Sequence, residues 1–148
     1  MPNLSAYLAV LKNLGYKVIY LERRNVVKQV LSGVIANKRK LYNQRNYTPD
    51  NKSFTIDLKE FKFLVRVEMA EVNRQKIMIE YSEVESLYVD YEDFLSDRKS
   101  FHTAIFDFLR VENKEIEESD FSIVIPEIKD VVENYAEFSE FLRETWGC

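Results

Sequence analysis

The chain is poor in the residues that build most metal and redox sites. Its 148 residues include one cysteine, one histidine, three glycines and three prolines. Cys148 is the last residue, which excludes an internal disulfide and any Cys-rich zinc site. His102 is the one histidine, which speaks against histidine-based metal centres and Cys–His dyads, and no metal ligand is assigned. So little glycine and proline excludes collagen-like and linker-rich architectures. No apolar run approaches the roughly 20 residues that cross a bilayer. The opening MPNLSAYLAV lacks a basic region followed by a long apolar one, so no signal peptide is read. A cytoplasmic protein without a membrane partner is the expectation.

What the chain does have is apolar mass and charge. It is 46% hydrophobic, 14% aromatic and 31% charged, which excludes disorder and fits one globular domain over residues 1–148. The net charge of −4 is unevenly spread. Arg23, Arg24, Lys28, Lys38, Arg39, Lys40 and Arg45 meet no acid between residues 23 and 49, while residues 50–148 carry 12 basic and 24 acidic side chains. A basic block in an acidic protein points to a local anion site rather than to a polyanion surface, and no nucleic-acid partner is expected.

Hydrophobic spacing predicts a helix over 3–14, with Gly15 ending it. Lys17–Leu21 reads as a buried strand of the parallel-sheet kind. Asn25 is placed to start a helix that runs to about residue 42 on Val27, Val30, Leu31, Val34, Ile35, Leu41 and Tyr42. Residues 43–56 read as loop. Asp57 and Glu60 form a capping-box pattern for a helix reaching towards residue 82, with Leu58, Phe61, Leu64 or Val65, Met69 and Val72 inward. Leu87–Tyr91 is a second strand. A helix from Asp97 turns Phe101, Ile105, Phe108 and Leu109 inward. Residues 112–126 read as irregular. Residues 128–145 are helical in pattern, with a break at Asn134. No repeat is present. The order implies an α/β layer fold with parallel strands, and two strands are few for such a sheet.

The informative stretch is KVIYLERRNVVKQVLS, residues 17–32. A strand delivers arginines to its carboxyl end, and a helix begins at once. Open α/β sheets bind ligands at the carboxyl ends of their strands, and helix N-termini favour phosphate. The arginine fork grips phosphate oxygens in pairs. Ser32 lies eight residues after Arg24, two turns into the helix, where a hydroxyl can add a hydrogen bond to an anion.

This strand–Arg-Arg-Asn–helix–Ser stretch resembles the 3′-phosphate-binding segment of sulfotransferases that use 3′-phosphoadenosine-5′-phosphosulfate (PAPS). Arg24 and Ser32 match the family's pair in type and spacing, with Val26 where many members have proline. Tyr88–Asp97, followed by Phe106-Asp107-Phe108-Leu109, is similar to the family's YEDL strand and the helix after it. Asp130–Phe138 with Leu142–Thr145 is similar to its C-terminal NYEEL ending. The likeness is to the bacterial and carbohydrate-type branches. It implies a P-loop-NTPase-like three-layer fold with a small parallel sheet. It also implies a nucleotide cosubstrate (PAPS, or the product adenosine 3′,5′-bisphosphate) held at its 3′-phosphate by Arg24, Ser32 and, less directly, Arg23. Sulfuryl transfer would go to a hydroxyl or amine acceptor, carbohydrate included.

Nothing in the sequence corresponds to the family's leading strand and Gly/Ser/Thr-rich loop, which wrap the 5′-phosphosulfate. The expectation is a fold truncated at the N-terminus, with no catalytic residue assigned and no catalysis by this chain alone. A missing segment or a second chain would complete the site. The alternative is an inactive interaction or scaffold protein that kept the fold, with a homodimer covering its sheet edge. His102, remote from the proposed site, reads as structural. Asp90, Glu92 and Asp93 read as fold-stabilising rather than as acid–base or Mg²⁺ groups. Lys38, Arg39 and Lys40 read as a solvated helix end. Tyr20, Tyr42 and Phe54 are undistinguished candidates for contact with adenine or acceptor.

Overall fold

A computed structural model describes residues 3–39, 53–115 and 128–147. Among the described residues, seven helices and two strands follow in the order α1 Leu4–Asn13, β1 Val18–Glu22, α2 Val26–Arg39, α3 Leu58–Ser82, β2 Ser86–Asp90, α4 Tyr91–Ser96, α5 Arg98–Leu109, α6 Ile128–Val131 and α7 Tyr135–Trp146. The fold mixes strand and helix and is mostly helical. The two strands pair in parallel, from Val18 opposite Ser86 to Glu22 opposite Asp90. The helix expected to run to about residue 42 is described as far as Arg39, and Tyr42 lies outside the described residues.

The chain divides into two compact units, Met1–Val26 with Glu68–Glu117, and Val27–Val67 with Glu118–Cys148. The first holds the sheet. Helix α1 ends where Gly15 takes φ +72, with the Gly15 N–H on the Lys12 carbonyl at 3.0 Å and the Tyr16 N–H on that of Leu11 at 2.9 Å. This paired closure turns the chain sharply into β1. Leu8, Ile79 and Val84 are buried together, with Leu4, Leu11, Val18, Tyr20 and Met78 packed on them. The Tyr20 hydroxyl donates to Gln75 Oε1 at 3.0 Å, and Lys76 pairs with Glu22 at 2.5 Å. One face of β1 is therefore covered by the later part of α3.

The opposite face corrects the expectation of a fully buried strand. Ile19 is 38% exposed and Leu21 56%. A two-stranded sheet gives each strand one neighbour, and no described helix closes over these two side chains. Helix α5 likewise has no fully buried residue, although Phe101, Ile105 and Phe108 are half-buried.

The second unit holds the larger core. Val27, Leu31 and Ile35 of α2 pack with Ile56, Phe61, Val65, Val131, Val132 and Phe138. The α2 face follows the predicted spacing. The Phe61 and Phe138 rings meet edge to face at 5.0 Å, and burying each ring contributes about 1.5–3 kcal/mol. Asp57 caps α3, accepting from the N–H groups of Lys59 and Glu60 at 2.9 Å each. The predicted break at Asn134 has a clear cause. Its side-chain amide takes the Ile56 N–H and gives its own N–H to the Ile56 carbonyl, both at 2.9 Å. Beside it Phe54 and Val132 form an isolated parallel bridge. A continuous helix over 128–145 would forfeit these bonds, so α6 stops at Val131 and α7 starts at Tyr135.

Candidate functional site

Because Glu22 lies opposite Asp90, the residues that follow the two strands leave the sheet side by side. After β1 these are Arg23, Arg24 and Asn25; after β2 they are Tyr91, Glu92 and Asp93. Two parallel strands bring a basic end and an acidic end together. Arg24 stands at the centre. Its Nε lies 3.6 Å from Asp90 Oδ2 and 3.9 Å from Glu92 Oε2, and its Nη2 donates to Asp93 Oδ1. The Arg24 side chain is 57% exposed.

Glu92 does more than balance charge. Its carboxylate accepts the backbone N–H of Arg24 at 3.0 Å and that of Asn25 at 3.4 Å. Partial burial works to raise this carboxyl. The N–H groups of Arg24, Glu92 and Asn25, together with the Arg24 charge, outweigh burial and hold it below the ordinary carboxylate value. The turn between β1 and α2 is thus a working anion cradle, occupied by the protein's own carboxylate. Arg23 lies over the Tyr91 ring at 4.2 Å, a cation–π contact that holds its guanidinium beside the same turn.

Ser32 belongs to the second unit. Its hydroxyl donates to the Lys28 carbonyl at 2.8 Å, one turn back along α2. Of the three residues singled out for phosphate, Arg23 and Arg24 meet at one turn, and Ser32 is placed within α2. The exposed pairs around Arg24 each contribute about 0–1 kcal/mol, so they position the guanidinium without locking it.

The other candidates have structural partners. Tyr20 uses its hydroxyl on Gln75 and stacks edge-on with Tyr88 at 5.7 Å; burial, followed by the Glu22 charge, raises its hydroxyl above the usual tyrosine value. Phe54 packs against the core of the second unit. The His102 ring sits edge-on against Phe94 at 5.8 Å and Phe101 at 5.6 Å. Lys38 is exposed near the end of α2, and Lys40 lies outside the described residues.

A cleft of about 360 Å³ opens beside β2, with Leu87, Val89, Asp90, Asp93, Phe101 and Ala104 in its lining. Asp90, Asp93 and Asp97 give it a negative wall, so the anion-binding donors lie on the Arg24 side. Among the described residues no group of three or more His, Cys, Asp or Glu side chains is arranged to hold a metal ion, and no helix is long and apolar enough to cross a membrane.

Sequence reading missed the carboxylates' grip on Arg24. The signal was present in two short strands ending in RRN and DYED, which meet if the strands are parallel neighbours. Compared with family models, curated proteins and solved structures, the chain matches none of them.

Proposed function

We propose that the chain is a sulfotransferase-like protein retaining the 3′-phosphate half of a PAPS site, within a P-loop-NTPase-like layered fold. One observation carries the reading. Arg24 stands at the carboxyl end of a parallel strand, beside backbone N–H groups that already hold a carboxylate. Those donors suit a phosphate oxygen as well as a carboxylate. The reading assigns the 3′-phosphate to the Arg24 guanidinium, with Arg23 adding positive charge at the same turn. Ser32 enters it from the sequence resemblance alone. PAPS would supply the sulfuryl group, and transfer to a hydroxyl or amine acceptor would need the 5′-phosphosulfate to be held by a further segment or a second chain.

Isothermal titration of the chain with adenosine 3′,5′-bisphosphate tests this. Binding is expected, weaker by about tenfold or more in Arg24→Ala, as loss of a charged hydrogen-bond donor implies. Arg24→Lys should keep part of the affinity. Circular dichroism confirms that each variant is folded. Absence of binding, or equal binding by Arg24→Ala, overturns the reading.

A second reading is favoured by the bare face of β1, where Ile19 and Leu21 are exposed. On it the chain is an interaction protein whose sheet is covered by a second copy. Sedimentation over a wide concentration range decides: a monomer throughout removes the homodimer.

A further inference from the structure

The Arg24 cluster contains more negative than positive charge. Asp90, Glu92 and Asp93 face Arg24, and Arg23 adds a second cation at the same turn. An external anion arriving there meets three carboxylates, and one of them has to yield. The three are not held alike. Asp90 is the last residue of β2 and lies 3.6 Å from the Arg24 Nε. Glu92 is pinned by two backbone N–H groups. Asp93 is 55% exposed, and among the described residues its carboxylate has the Arg24 Nη2 as its one polar partner. Nη2 is a terminal donor of the guanidinium, apart from the Nε that faces Asp90 and Glu92.

We infer that Asp93 is an internal competitor for the anion site: its carboxylate occupies the Arg24 Nη2 donor and swings away when an external phosphate takes its place. The inference rests on the proposed function for the identity of the anion, while the competition itself is a property of Arg24 and Asp93. With Asp93 released, the turn holds two cations and two carboxylates, and a phosphate can present two oxygens where Asp93 presents one. Asp93 also lines the cleft beside β2, which gives the freed side chain a solvated place to go. The contact is an exposed pair, so its restraint on ligand binding is small and reversible.

The test compares the full chain with Asp93→Asn and with Asp107→Asn. Asp107 is an exposed carboxylate of α5, so the control removes the same charge away from Arg24. Inorganic phosphate and adenosine 3′,5′-bisphosphate are titrated at one fixed ionic strength. Asp93→Asn is expected to bind phosphate about two- to fivefold more tightly, the size exposed ion pairs show. Asp107→Asn is expected to match the unmodified chain. Equal binding by the unmodified chain and Asp93→Asn, or an equal gain in Asp107→Asn, overturns the competition and leaves the nucleotide reading to its own test. A gain in Asp93→Asn with the nucleotide held no better than phosphate upholds the competition and removes the nucleotide. Uptake of neither probe by any of the three proteins overturns both.

Discussion

Glu92 shows how much one side chain can settle at a turn. It ties the end of β1 to the start of α4 through two backbone N–H groups and the Arg24 charge. Its carboxyl is held below the ordinary value, near 4.5 in an unfolded chain. The sign follows from linkage. A carboxyl with a depressed folded value contributes stability that is fully present above the unfolded value and lost as the pH falls through the folded one. Urea titrations below about pH 4.5 should therefore show Glu92→Gln losing less stability with falling pH than the unmodified chain. Equal slopes in the two proteins would remove this role. Sequence reading placed Arg24 correctly at the end of a strand, and it named Asp90, Glu92 and Asp93 as stabilising. It could not pair them, because Glu92 and Asp93 stand 68 and 69 residues from Arg24 and meet it through strand register alone.

At the scale of elements, the long periodic segments were the legible ones. Helix α2 buries Val27, Leu31 and Ile35 along the predicted stripe, and α3 starts after its Asp57 cap and ends at Ser82. Helix α4 was missed. Six residues are too few to show a period, and Tyr91 follows β2 with no glycine or proline between. The burial of β1 and α5 was overestimated, because apolar content says which side chains can be covered and not what covers them. Two glycines give opposite expectations for one substitution. Gly15 has φ +72 and open space around an added Cβ, so Gly15→Ala costs backbone energy alone, about 1–2 kcal/mol. Gly33 lies inside α2, also in open space, and Gly33→Ala should stabilise by about 0.5–1 kcal/mol. Denaturant midpoints shifted in opposite directions would bear both out.

For the whole molecule, the two cores differ in size. Among the described residues, nine apolar side chains are buried together in the second unit and three in the first. Local stability follows buried apolar contact. Amides of β1 and β2 are therefore expected to exchange with solvent sooner than those of α7, read residue by residue by hydrogen exchange. Trp146 is the one tryptophan and sits 6.1 Å from the Phe61 ring, so its fluorescence reports the second unit. Phe61→Ala should lower stability by about 3–5 kcal/mol, seen first in that signal. Equal protection in both units would show that they open together.

The parallel register of β1 and β2 also bears on how the chain is made. The Arg24 amide and the Glu92 carboxylate that meets it stand 68 residues apart. Closing so long a loop costs entropy that only the completed sheet and its packing repay. A chain still leaving the ribosome presents Arg23 and Arg24 as bare cations until β2 and the acidic residues behind it have been synthesised. The anion cradle and its internal competitor therefore arise together, in one late step of folding.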